Sequence, residues 1–177
     1  MKEHKNYAKI TTAIILTVAV GTLLFFVSPL TDTAEAANNQ GFIYNNEGQY
    51  DKAIAAFDKA IELDPGLALA YNNRGWAYIE LGQYEKAIAD CNKAIELDPG
   101  LALAYSNRGW AYIKLGQYEQ GIEDCNKAIE LDPGLALAYN NRGWAYIELG
   151  QYEKAIADFD KAVELDPSLQ STSGSSG

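Results

Sequence analysis

Residues 68–101 read ALAYNNRGWAYIELGQYEKAIADCNKAIELDPGL, and this stretch decides the fold. It holds two helical patterns separated by a turn signal. The segment 68–81 is the first pattern, helix A. Gly82 follows, a residue that takes positive φ at low cost. The segment 84–97 is the second pattern, helix B. Its residues Ala87, Ile88, Cys91, Ala94 and Ile95 form an apolar stripe at the spacing of one helix face. Lys86, Asp90, Lys93 and Glu96 are expected on the opposite, solvated face, where weak surface pairs form. Pro99 cannot continue helix B, and it pushes Asp98 out of the α region. In helix A, Tyr71, Gly75 and Tyr78 share a face, so a partner helix can approach between two rings at Gly75. The small residues Ala87 and Ala94 serve the same close packing in helix B.

The stretch is one of four. The Asp-Pro pairs at Asp64, Asp98, Asp132 and Asp166 recur every 34 residues, which divides the chain into units 34–67, 68–101, 102–135 and 136–169. The second and fourth units differ at four positions and the second and third at five, as expected of recent internal duplication. Counting from the first residue of each unit, the pattern is an aromatic at position 4 in the second to fourth units, Gly at 8, Tyr at 11, Ala at 20 in all but the third, a bulky or Cys residue at 24, Ala at 27 and Pro at 32. With the period of 34, this pattern resembles the tetratricopeptide repeat family. The resemblance covers 34–169. It implies an all-α fold, an α-solenoid in which each unit is an antiparallel helix pair. The pairs would stack into a right-handed superhelix whose concave groove, lined by the A helices, holds a peptide or a partner's surface. Position 7 departs from the family's usual leucine, being Gln40, Arg74, Arg108 and Arg142. Each arginine is expected to lay its stem over a tyrosine and to pair with an acidic neighbour. Gly121 replaces alanine in the third unit and should weaken its helix B by about 1 kcal/mol. The first unit closes helix A with Asn45, Asn46 and Glu47, in keeping with the more polar outer face of a terminal repeat.

A helical wheel separates the packed face of helix A, positions 4, 8 and 11, from an open face at 2, 5, 6, 9 and 13. The candidate partner-binding groove consists of Asn38, Asn39, Asn72, Asn73, Trp76, Glu80, Asn107, Trp110, Lys114, Asn140, Asn141, Trp144 and Glu148. Amides carry both donor and acceptor, which suits an extended peptide backbone, and rings beside them supply area. The competing readings are amides copied with the repeat for solubility, and tryptophans packed between neighbouring A helices. The groove lacks a cluster of basic residues, so no preference for C-terminal acidic tails is expected.

The N-terminal 36 residues are a signal peptide or an uncleaved membrane anchor. Lys2, Lys5 and Lys9 precede a run without charge from 10 to 31, and Pro29 then breaks any helix. Ala34-Glu35-Ala36 fits a small-residue cleavage pattern that would leave Ala37 as the new terminus. Residues 10–27 as a helix would reach about 27 Å, near the thickness of a bilayer's hydrocarbon core. Both readings place the repeats outside the cytoplasm, because the lysines hold the N-terminus inside.

The chain has 177 residues and a net charge of −10, and its lysines and arginines are interspersed with more numerous acids, which argues against nucleic acid as a partner. His4 is the only histidine. Catalytic triads, Cys-His pairs and zinc sites all need more than this, so no enzyme, no metal and no cofactor is expected. Acidic pairs such as Glu123-Asp124 read as a solvated helix face. Cys91 and Cys125 share position 24 in adjacent units, where equivalent helices lie about 8–10 Å apart, too far for a disulfide. Buried free thiols are expected. Residues 170–177 form a polar tail, and no additional helix covers the segment 152–165. The primary expectation is therefore a protein-interaction scaffold outside the cytoplasm with a peptide or protein partner and membrane contact only through its N-terminal segment. The alternative is a self-assembling spacer, a homo-oligomer joined through the exposed C-terminal helix.

Overall fold

The computed structural model describes residues 33–172, with side chains through 169. The expected signal or anchor run at 10–27 lies outside the described residues. Within them, no helix is long and apolar enough to cross a membrane. Eight α-helices follow in order: α1 (Ala34–Asn46), α2 (Tyr50–Leu63), α3 (Ala68–Glu80), α4 (Tyr84–Leu97), α5 (Ala102–Lys114), α6 (Tyr118–Leu131), α7 (Ala136–Glu148) and α8 (Tyr152–Leu165). A short 3₁₀ helix, Pro167–Thr172, closes the chain against α8.

Each helix A stops in the same way. Gly82 has φ 70°, the Gly82 N–H donates to Ile79 O at 2.9 Å, and the Gln83 N–H donates to Tyr78 O at 2.8 Å. These two bonds absorb carbonyls the helix end would leave unpaired. Gly48, Gly116 and Gly150 repeat this backbone geometry. At the end of α4, Asp98 is extended at φ −137° and ψ 93°, as its position before proline requires. Its carboxylate accepts the Gly100 N–H at 2.9 Å, which sets the turn into the next repeat. Thr33 Oγ1 caps α1 by accepting the Ala36 N–H at 3.1 Å. Ala34-Glu35-Ala36 thus forms the first turn of a helix.

The helices pair within repeats, and each helix B also packs on the helix A that follows. The A helices of successive repeats touch, whereas no two B helices do. That asymmetry curves the solenoid with its A helices on the inner side. The core is narrow and built mostly of alanine: Ala53, Ala60, Ala87, Ala94 and Ala128 are fully buried. A Cβ placed on Gly75 would lie 3.1 Å from Cys91 Sγ and 3.4 Å from Ala87 O, so glycine sets the helix spacing.

Four expectations change. Asp90 and Asp124 are buried rather than solvated, because each faces an arginine of helix A. At Gly121, helices α5 and α6 close further: a Cβ on Gly109 would stand 3.0 Å from Gly121 O, against 3.4 Å for the same contact at Gly75 and Ala87. The glycine therefore supports a closer approach as well as weakening helix propensity. The first repeat's outer face is not polar throughout, since Phe42 and Ile43 are exposed while Asn45 turns inward and donates to Asn73 O at 3.2 Å. Finally, the backbone at 170–172 is helical rather than a simple tail. This last turn still leaves Tyr152 and Ile156 of α8 exposed among the described residues.

Candidate groove on the A helices

The inner face carries two layers with different roles. The deeper layer is the amide row. Asn73 Nδ2 donates to Asn38 Oδ1 and Asn107 Nδ2 to Asn72 Oδ1, both at 3.0 Å, and Asn141 Nδ2 donates to Ser106 Oγ at 3.2 Å. Each bond runs from position 6 of one repeat to position 5 of the repeat before. Asn38, Asn72, Ser106, Asn107 and Asn141 are buried, Asn73 and Asn140 are half-buried, and Asn39 is exposed. The amides thus zip repeat to repeat, a role that neither sequence-based reading of them contained. A buried amide left without that partner would cost about 1–3 kcal/mol.

The shallower layer is aromatic and charged. Trp76 and Trp110 are half-buried, Trp144 is exposed, and Glu80, Lys114 and Glu148 are exposed beside them. Trp110 packs against Ala111 and Ile79 on one side and Ala145 and Ile113 on the other, so it belongs to two repeat joints. Trp144 meets Phe159 edge to face at 5.7 Å. Between the two indoles lies a cleft of about 380 Å³, lined by Trp110, Ile113, Lys114, Tyr118, Trp144 and Glu148. Lys114 Nζ sits 5.2 Å from the Trp110 ring centre, and the Tyr118 hydroxyl donates to Glu148 Oε2 at 3.4 Å. The wheel places Trp110, Lys114, Trp144 and Glu148 here. It misses Tyr118, which reaches the cleft from the start of a B helix, and Ile113 on the floor.

A third element underlies both layers. Arg74 Nε and Nη2 clamp both oxygens of Asp90 at 2.7 and 2.6 Å, and Nη1 reaches Asp58 of the preceding repeat at 2.6 Å. The hydrogen bond to Asp90 holds the guanidinium's pKa well above its ordinary value, against the opposing effect of burial. Arg108 and Arg142 repeat the clamp on Asp124 and Asp158, with raised pKa for the same first reason. The Arg74 carbon lies 5.6 Å from the Tyr71 ring centre, as the arginine reading expected. The aspartate partners carried a legible signal. Repeat 1 has Gln40 in place of the arginine and Ala56 in place of the aspartate, so the two charges are present or absent together. Cys91 and Cys125 are free and buried, and burial pushes both thiols up to about 12. Among the described residues, no three His, Cys, Asp or Glu side chains converge where they could hold a metal ion.

The tetratricopeptide repeat family model matches 34–67, 68–101, 102–135 and 136–169, which is most of the chain. The chain belongs to the tetratricopeptide repeat family. The first domain of this family from Spaghetti (RPAP3), solved with the HSP90 peptide SRMEEVD, is 32% identical over 66% of this chain and 93% of its own, with a TM-score of 0.62. The second such domain of human RPAP3, solved with the HSP70 peptide SGPTIEEVD, is 31% identical over 63% and 93%, with a TM-score of 0.59. A thermophilic repeat protein of Thermus thermophilus, TTC0263, shares the fold at a TM-score of 0.72 and 22% identity, over 80% and 83% of the two chains. The comparison with curated proteins finds no match.

Proposed function

We propose that this tetratricopeptide array is a protein-interaction scaffold standing outside the cytoplasm, and that it holds an extended segment of a partner along its A helices. The observation that carries this reading is the cleft between Trp110 and Trp144, with Lys114 and Glu148 at its rim. Two indoles and an isoleucine floor suit an apolar or aromatic side chain, and a charge of each sign beside them orients the segment that bears it. Two similar domains of the family were solved with peptides, which supports the same mode of binding here. Those peptides are acidic. The open face of the A helices carries Glu80, Lys114 and Glu148 here, so an acidic tail would meet repulsion at two of these three positions. The partner segment is therefore mixed or basic in charge, with one bulky apolar residue. The amides contribute chiefly by holding the repeats in register, with the exposed Asn39 and half-buried Asn140 left nearest to a ligand. The lysine-flanked uncharged run at 10–31 supports the location, either as a cleaved signal or as an anchor.

The test uses the full chain as bait against envelope extract, beside Trp144→Ala and Lys114→Glu. Loss of the same partner in both variants, with helicity unchanged, supports the groove. Equal capture by all three baits removes the cleft as the binding site. Protease accessibility of the repeats from outside intact cells checks the location, and protection there would overturn it.

A further inference from the structure

The two ends of the array are complementary halves of the joint that holds its interior together. At each internal joint, the position-10 residue of a helix A plugs a socket made by the preceding repeat. Ala77 is fully buried against Tyr44, Tyr50, Ile54 and Phe57. Ala145 is fully buried against Trp110, Ile113, Tyr118 and Ile122. Repeat 4 carries the same socket in the same register, as Trp144, Ile147, Tyr152 and Ile156. There nothing among the described residues fills it. Trp144, Tyr152 and Ile156 are 45%, 58% and 59% exposed, whereas Trp110, Tyr118 and Ile122 are half-buried. At the other end the plug is Ile43, 48% exposed.

The polar fittings match as well. Asn39 occupies the position from which Asn73, Asn107 and Asn141 each donate to the repeat before, and it is exposed. Asn140 occupies the accepting position in repeat 4, whose counterparts are Asn38, Asn72 and Ser106. Asp160 is exposed where Asp58 accepts Arg74, and Gln40 would bring an amide donor to it.

We infer that a second copy of this chain docks its first repeat on the fourth repeat of the one before, so that the solenoid continues from chain to chain. A contact between two different surfaces of one chain makes a ring if its rotation closes and a filament if it does not, and continuing the superhelical path of the solenoid makes a filament. Ile43 is bulkier than the alanine it replaces, which makes this joint looser than those within the chain. Each copy carries a net charge of −10, so added salt strengthens the association by screening repulsion. The end socket shares Trp144 with the groove, but the deciding variant does not touch it: Ile156 lies outside the Trp110–Trp144 cleft.

The experiment is cysteine cross-linking of the full chain in mild detergent with a short bis-maleimide. Cys91 and Cys125 are fully buried, so the native thiols give no background. In the variant Asn39→Cys/Asn140→Cys, the expected result is a ladder of dimer, trimer and higher species that grows with salt. Each single variant should give no cross-link, because the joint sets position 39 of one copy against position 140 of the next and a single variant leaves only one thiol there. Ile156→Lys added to the double variant should cut the ladder at least tenfold at unchanged helicity. A double variant that goes no further than the singles overturns the inference, and so does a ladder indifferent to Ile156→Lys. Occupation of the socket by the chain's own N-terminal segment would give the first of these outcomes.

Discussion

Arg108 binds two repeats at once: its Nε and Nη2 donate to the two oxygens of Asp124 at 2.7 Å, and its Nη1 donates to Asn92 of the preceding repeat at 2.7 Å. The arginine side chain is 20% exposed and the aspartate 8%, so both partners are largely out of water. Removing one partner of such a pair leaves the other charge buried and uncompensated, a larger loss than removing both. Arg108→Met should therefore destabilise the array by about 3 kcal/mol. Arg108→Met/Asp124→Leu should recover a large part of that loss. Urea unfolding of the two variants beside the wild type measures the difference. A double variant no more stable than Arg108→Met would show that the pair is not the unit of stability.

Trp110 and Trp144 occupy equivalent positions but differ in burial, and the difference separates folding from binding. Trp110 is packed into two joints, so Trp110→Ala should cost about 3 kcal/mol. Trp144 is 45% exposed, and Trp144→Ala should cost about 1 kcal/mol or less while removing one wall of the cleft. Thermal melts of the two variants check the ranking. If Trp144→Ala unfolds the array as readily as Trp110→Ala, the cleft is core and not a binding surface.

The period of 34 made the helices legible, because glycine and Asp-Pro punctuate every unit at fixed offsets. Helix B was read to the residue: the segment 84–97 is α4. Where the reading failed, a single-helix wheel stood in for a two-helix packing. The wheel assigned Asp90 to water because it faces away from the alanine stripe of its own helix. Helix A lies over that side too, and it brings Arg74. The amide row failed for the same reason. Position 6 is open on one isolated helix, but successive A helices touch, so Asn107 reaches Asn72 before any ligand can. The indoles at position 9 need nothing beyond their own helix face to be placed, and Trp110 and Trp144 lie on either side of one cleft.

Cys91 and Cys125 should be inert in the folded protein. Both are fully buried and desolvation holds the thiols at about 12, whereas the unfolded chain titrates near 8.5–9. A thiol reagent at pH 8 should label neither until the protein unfolds. The sign of the pH effect follows. A raised folded-state pKa gives stability that is complete below the unfolded value of about 8.5 and is lost as pH rises toward 12. Cys91→Ala/Cys125→Ala should therefore show a shallower loss of stability between about pH 9 and 12 than the wild type. Equal slopes in urea unfolding across that range would mean that the thiolates are tolerated in the core.

Gly41 and Gly143 face the same partner, a phenylalanine of helix B, in settings that differ chiefly in what lies beyond the ring. A Cβ on Gly41 would stand 2.5 Å from Phe57 Cε1, and one on Gly143 2.7 Å from Phe159 Cε1. Alanine at either site gains about 1 kcal/mol of helix propensity, and each must then displace the ring. Phe57 is fully buried under Ala77 and has nowhere to go. Overpacking there costs about 1–3 kcal/mol and outweighs the gain, so Gly41→Ala should be destabilising. Phe159 is only half-buried and borders the open end of repeat 4, so it can turn outward. Gly143→Ala should then stay within about 0.5 kcal/mol of the wild type. Chain association would cover Phe159 and erase the contrast. The two melts should therefore differ most at low protein concentration and converge as concentration rises. Equal penalties at every concentration would mean that Phe159 is as confined as Phe57, and that the end of the array is closed.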